Sequence, residues 1–188
     1  DNSILVINEL KNTYRIILIK NEFNLGQSFA IFKGIKKSKY DTIVTLDGDG
    51  QNNPKDINKL LNIYFEKKIF DLVSGIRINR KDSIIKIVSS KIANKFRSFI
   101  LQDNCSDTGC SLKVFNKSTF LKFPYFDGLH RFLPALFKGY GKKTFFIDVT
   151  HRPRYAGSSK YDTFGRFIRG LRDLIKVWFI IKNFRKNI

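Results

Sequence analysis

Short runs rich in β-branched and aromatic residues alternate along the chain with stretches whose apolar positions recur every three or four residues. That alternation predicts an α/β domain built on a mostly parallel sheet. Strands are expected at residues 14–20, 42–46, 70–74, 111–115 and 144–149, and helices at 27–37, 55–66, 84–101 and 131–138. Pro54, just after Asn52-Asn53, signals the start of the second helix, because proline suits the first helical turn, where its missing N–H costs nothing. In the third helix Ile84, Val88, Ile92, Phe96 and Phe99 make one apolar stripe. No internal repeat, low-complexity tract or linker breaks the pattern, so a single domain is expected.

The last stretch, residues 162–186, is patterned differently. Phe164, Phe167, Ile168, Leu171, Leu174, Ile175, Trp178, Phe179 and Ile181 are interleaved with Arg166, Arg169, Arg172, Lys176 and Lys182. A basic amphipathic helix with an aromatic-rich face suits the interfacial layer of a membrane. It suits a terminal helix docked on its own domain equally well, and one helix can do both. On the membrane reading Arg166, Arg169, Arg172 and Trp178 are the contact residues. No apolar run reaches the roughly 18 residues that span a bilayer, and no secretory signal opens the chain.

Charge sharpens this picture only in part. The net charge of +19 points to an anionic partner, either nucleic acid or a membrane surface. Yet 24 of the 35 basic residues are lysine, and the chain is also rich in Ile, Asn and Phe. All four have A/T-rich codons, so coding bias accounts for some of the excess. Two cysteines, Cys105 and Cys110, have no second Cys/His pair at ligand spacing, which argues against a zinc module and for a reducing compartment. The chain lacks methionine altogether, so its natural start is expected upstream of Asp1.

Chemistry concentrates in four places. Thr45-Leu46-Asp47-Gly48-Asp49-Gly50-Gln51 runs a hydrophobic strand into Asp-x-Asp, at the strand end where open α/β sheets bind ligands. Two carboxylates so spaced, with the neutral oxygen of Gln51, can converge on a hard divalent cation that shares its other positions with phosphate. A plain Asp-Gly turn is the competing reading. Arg152-Pro-Arg154-Tyr-Ala-Gly157-Ser-Ser-Lys160 offers two guanidinium forks and an ammonium on a flexible loop, suited to a diphosphate or to solvent. Arg77-Ile-Asn-Arg80-Lys81-Asp82-Ser83 adds cations and a hydroxyl ahead of a helix start. Asp107, before Thr108-Gly109-Cys110, can accept a bond from a sugar, orient a base, or cap a turn. His130 precedes a helix alone, and a lone histidine is more often structural than catalytic.

Taken in order, Asp47-Gly-Asp49-Gly-Gln51-Asn-Asn-Pro54, Gly75-Ile-Arg77, Asp107-Thr-Gly-Cys110-Ser-Leu-Lys113, His130-Arg131-Phe-Leu-Pro134 and Arg154-Tyr-Ala-Gly157-Ser-Ser-Lys160-Tyr161 resemble family-2 glycosyltransferases. The closest likeness is to the dolichyl- or polyprenyl-phosphate sugar synthase branch, and it covers nearly the whole chain. The resemblance implies an α/β GT-A fold with a Rossmann-like mixed sheet, residues 1–161 forming the catalytic domain and 162–188 the basic helix. It implies inverting transfer from a UDP- or GDP-sugar to a polyprenyl phosphate, on the cytoplasmic face of a membrane and without a nucleic-acid partner. By position, Asp47, Asp49 and Gln51 would hold Mg²⁺ or Mn²⁺, with Asp47, Asp49 and Asp107 as the catalytic carboxylates. Arg154 and Lys160 would clamp the donor diphosphate, and Arg77, Arg80 and Ser83 would meet the acceptor phosphate. The family's first two strands and its acidic base-reading motif are expected upstream of Asp1. Two other readings remain: a family-2 enzyme with a different acceptor, and a basic nucleic-acid- or membrane-binding module without catalysis.

Overall fold

The computed structural model describes residues 2–78, 84–153 and 163–186. In chain order its elements are α1 (Ser3–Leu10), α2 (Gly26–Lys37), β1 (Thr42–Thr45), α3 (Lys55–Lys67), β2 (Leu72–Ile78), α4 (Ile84–Leu101), β3 (Lys113–Asn116), α5 (Lys117–Phe120), a 3₁₀ turn (Leu129–Arg131), α6 (Leu133–Gly139), β4 (Thr144–Thr150) and α7 (Thr163–Lys186). The strands form one sheet in the order β1-β3-β2-β4.

The sheet is mixed, which corrects the expectation of a mostly parallel one. β3 runs antiparallel to both β1 and β2, while β2 and β4 are parallel. Alternating helices and strands report that connections cross the sheet, not which way each strand then runs. The loop 102–112 returns the chain over the carboxyl ends of β1 and β2, so Lys113 enters the sheet opposite Thr45 and Ser74. This delivers residues 107–111 to the same rim as the Asp47 turn.

Period-two alternation divides the core between the two faces. Leu72 and Phe115 point to one side, into a large cluster with Ile43, Phe120, Leu136 and Phe137 that is sealed by Leu174, Val177 and Ile181 of α7. Val73 and Val114 point to the other, where Leu60 of α3, Leu112 and Val149 close a smaller cluster. α7 is thus packed into the core along one side, as the docked-helix reading expects.

One expectation fails locally. Residues 14–20 form no strand. They pair with none of the four strands, and the backbone N–H of Ile16 turns back to the carbonyl of Tyr14 at 2.9 Å. Strand propensity without a neighbouring ladder makes no strand. The apolar stripe read on α4 forms and is turned outward: Ile92, Phe96 and Phe99 face solvent, while Arg97 and Leu101 are buried, and the side chains of Ile84 and Val88 lie outside the described set. Arg97 is drawn inward by Asp103, to which it donates a short charge-assisted bond, and by the carbonyl of Cys105. α1 and α5 arise where no helix was expected. Asn116 caps α5, its side chain accepting from the Thr119 N–H at 2.8 Å.

Candidate functional site

The Asp47 turn follows β1 and is anchored through Ser111. The Ser111 hydroxyl accepts from the Asp47 N–H at 3.2 Å and from the Asn52 amide at 2.8 Å, and the Ser111 carbonyl accepts from Thr45 Oγ1 at 2.6 Å. One carboxylate oxygen of Asp47 accepts from Gln27 Nε2 on α2 at 2.9 Å. Asp49 accepts from the backbone of Gln51 at 3.1 Å, an Asx turn that Gly50 completes at φ +76°. Both carboxylates are half-buried at the sheet's carboxyl rim.

β4 brings His151 to the same place. His151 bridges Asn52 in backbone pairing, and its Nε2 lies 3.3 Å from the Gln51 amide nitrogen. With that nitrogen committed to His151, the Gln51 carbonyl oxygen is the group left to face a cation. Carboxylate and amide oxygens suit Mg²⁺ and Mn²⁺ alike. Among the described residues no three His, Cys, Asp or Glu side chains cluster at metal-binding distance. The residues present fit a cation that takes its remaining ligands from phosphate.

Arg77 and Asp107 meet face to face. The guanidinium donates twice to the carboxylate, Nε and Nη2 each at 2.8 Å, and the Arg77 backbone N–H adds a third bond at 3.1 Å. A Cβ at position 109 would stand 2.6 Å from Arg77 Nη2, so any larger residue there would displace the guanidinium from this arrangement. Thr108 ties this turn to α4 by donating to Asn94 at 3.0 Å. Read along the chain these two residues have separate tasks, and the fold makes them one unit. Arg80, Ser83, Arg154 and Lys160 lie outside the described residues. Arg152 is described, and donates to Asn53 at 2.7 Å.

Below the rim an open cleft of about 1160 Å³ is lined by Asp47, Ser111, Lys113, His130, Arg131 and Arg169, among others. Lys113 is fully buried and donates a short bond to the Cys110 carbonyl. Burial holds its pKa below the usual lysine value, although the nearby Cys110, Cys105, Asp107 and Asp47 pull the other way. Burial also pushes the Cys105 thiol up to about 11 and raises Cys110, leaving two unreactive thiols. His130 Nδ1 meets the Ser28 hydroxyl at 2.6 Å, and that hydroxyl accepts from the Gly128 N–H at 2.8 Å. Burial, then the charges of Arg131 and Lys113, bring the His130 pKa down to about 3, so the ring is neutral at physiological pH.

Of the helix residues singled out, Arg172 and Trp178 are exposed on α7, and Arg169 is exposed where it lines the cleft. Arg166 lies on α7 with its side chain outside the described set. Gln27, Ser28 and His151 carry no sequence signal. They reach the site only through the fold, from α2 and from the end of β4.

The chain matches the family described as Glycosyl transferase family 2 over residues 1–123. It is 34% identical over 168 residues to the dodecaprenyl-phosphate galacturonate synthase of Rhizobium johnstonii, covering 88% of this chain and 49% of that protein. It is 31% identical over 160 residues to the undecaprenyl-phosphate 4-deoxy-4-formamido-L-arabinose transferase of Pectobacterium carotovorum, covering 85% of this chain and 48% of that one. The chain spans about half the length of these curated relatives. Its fold is similar to that of glucosyl-3-phosphoglycerate synthase from Mycobacterium tuberculosis in complex with UDP, at a TM-score of 0.65 and 12% identity over 96% of this chain and 66% of that one. The same enzyme with Mn²⁺, UDP-glucose and phosphoglyceric acid gives a TM-score of 0.61 at 9% identity, over 88% of this chain and 56% of that one. The mixed α/β sheet is that of the GT-A fold, and the chain belongs to glycosyl transferase family 2.

Proposed function

We propose that the protein transfers a sugar, with inversion, from a nucleotide diphosphate donor to a polyprenyl phosphate at a membrane surface. The observation that supports this most directly is the 34% identity to a dodecaprenyl-phosphate galacturonate synthase across 88% of the chain. The chemistry of the rim agrees with it. An acceptor phosphate oxygen attacks the anomeric carbon, the bond from that carbon to the diphosphate breaks, and the nucleoside diphosphate leaves with its electron pair. A phosphate monoester has a second pKa near 6, so the acceptor is already largely ionised and needs little help from a base. The protein's task is to hold two anions in line and stabilise the departing one.

Asp47, Asp49 and Gln51 are the residues we assign to Mn²⁺ or Mg²⁺, with His151 beside them. When bound, the cation would neutralise the charge of the leaving diphosphate. Gln27 and Ser111 keep the Asp47 turn in place. Arg154 and Lys160 are assigned to the diphosphate, and Arg77, Arg80 and Ser83 to the acceptor. Asp107 holds the Arg77 guanidinium by two parallel bonds, which would set the angle at which Arg77 meets the acceptor phosphate. Neutral His130 walls the cleft without adding charge.

We place the protein peripherally on the cytoplasmic face, held by α7. No helix among the described residues is long and apolar enough to cross a membrane, and Cys105 and Cys110 are free thiols. Nucleic acid is not a partner we assign, since the relatives matched over most of the chain are named for polyprenyl phosphates. The test is a nucleotide-sugar titration with and without Mn²⁺. Asp47→Ala and Asp49→Ala are each expected to weaken Mn²⁺-dependent donor binding by about tenfold or more, the loss of a charged metal ligand. Binding equal to wild type in either variant at limiting Mn²⁺ would remove the metal assignment.

A further inference from the structure

Two polar side chains stand in the wall of the cleft with hydrogen-bonding capacity that the fold leaves unspent. The first is Lys113. On β3 it shares a face with Phe115, and that face looks onto the cleft, whose wall includes Ile35, Ile43 and Leu133 of the large cluster. Lys113 is 2% exposed, and its one hydrogen bond among the described residues goes to the Cys110 carbonyl. Charged or neutral, Nζ keeps at least one N–H beyond that bond. Nζ also lies within electrostatic reach of Asp107 and Asp47 on the rim.

The second is His130, and its tautomer follows from its neighbour. Ser28 is 1% exposed, and its hydroxyl oxygen accepts from the Gly128 N–H at 2.8 Å and lies 2.6 Å from His130 Nδ1. The hydroxyl proton has no other acceptor among the described residues, so it goes to Nδ1. A neutral ring that accepts at Nδ1 carries its own proton at Nε2. Nε2 has no hydrogen-bond partner among the described residues and is not sealed in the core. His130 therefore offers the cleft a fixed N–H donor, and Lys113 lies close enough for its charge to act on the ring.

An N–H taken out of water without an acceptor costs free energy, so two in one wall call for an oxygen-bearing ligand. A sugar carries oxygens around its whole ring. We propose that Lys113 Nζ and His130 Nε2 are the donors that bind an oxygen substituent of the transferred sugar, a hydroxyl or a carboxylate, with Ser28 as the positioning residue that fixes the imidazole. This rests on the glycosyl-transfer reading and adds to it the residues that recognise the sugar. Donors of this kind confer selectivity, because a wall built to give hydrogen bonds rejects a sugar lacking the acceptor far more strongly than an apolar wall does.

Calorimetric titration separates contact with the sugar from contact with the diphosphate. UDP-glucose, UDP-glucuronate and bare UDP are titrated with Mn²⁺, with GDP-mannose and bare GDP in parallel. His130→Leu and Lys113→Met are each expected to weaken binding of the nucleotide-sugar by about five- to tenfold, the loss of one hydrogen bond. Both should bind the bare nucleoside diphosphate as wild type does, which also shows that they are folded. His130→Gln, whose amide can accept from Ser28 and still donate, should recover most of what His130→Leu loses. The sugar on which Lys113→Met loses more identifies the substituent, glucuronate for a carboxylate and glucose for a hydroxyl. Nucleotide-sugar binding that neither substitution weakens overturns the proposal. Equal weakening of sugar-bearing and bare nucleotides overturns it as well, and leaves the two side chains a structural role. A wild type that binds none of the nucleotide-sugars overturns the glycosyl-transfer reading and this one together.

Discussion

At His130 burial has set the chemistry of a single side chain. Its folded pKa of about 3 lies below the ordinary histidine value of 6.5. Below pH 6.5 the unfolded chain therefore takes up a proton that the folded chain refuses until about pH 3. Stability contributed by the neutral ring is full above 6.5 and is lost as pH falls through that window, at a cost on the order of a few kcal/mol. His130→Gln, which can still bond to Ser28, is expected to flatten the acid limb of a stability-versus-pH profile measured by denaturant unfolding. An unchanged acid limb would show that His130 is not the group responsible. At this scale, sequence reading works where chemistry is carried by neighbours in the chain. Asp47, Asp49 and Gln51 stand out because their spacing is the signal, whereas Gln27 and His151 join them from 20 and 100 positions away. Arg77 and Asp107, 30 residues apart, were each visible singly but not as a pair.

At the scale of elements, close approach of backbones decides what a glycine is for. A Cβ at Gly139 on α6 would stand 2.5 Å from Ile181 Cγ1, a buried contact of α7, while one at Gly34 on α2 would meet nothing within 4 Å. Gly139→Ala is expected to cost about 1–3 kcal/mol by overpacking, and Gly34→Ala to be neutral or stabilising by up to about 1 kcal/mol. Chemical denaturation of the two variants checks the contrast, and equal effects would contradict the α6–α7 packing. Four of the five expected strands and all five expected helices form, with ends shifted by a few residues, because local periodicity reports local structure. Segment 14–20 and the direction of β3 were not readable, since each depends on which strand lies alongside. The α4 stripe was readable as a stripe but not as an exposed one. Which face of a helix is buried is decided by its neighbours, and here Asp103 draws Arg97 inward.

Across the whole molecule the parts make one arrangement. β1, β2 and β4 end at one rim, and antiparallel β3 begins there, so the Asp47–Gln51 turn, the Arg77–Asp107 pair and His151 share it. The cleft beneath opens toward Arg169 of α7, the helix whose other exposed side is apolar and basic. An enzyme acting on a phosphate that cannot leave the bilayer, as we propose this one does, would use such a rim beside a basic amphipathic helix. The central claim is the acceptor, and the most direct measurement offers UDP- and GDP-sugars in turn with Mn²⁺ and either a short polyprenyl phosphate or the matching polyprenyl alcohol. The account predicts a sugar-phosphate lipid from the phosphate alone, with turnover reduced by about tenfold or more in Asp49→Ala. Equal transfer to the alcohol, or transfer that ignores the phosphate and is unaffected by Asp49→Ala, would contradict it.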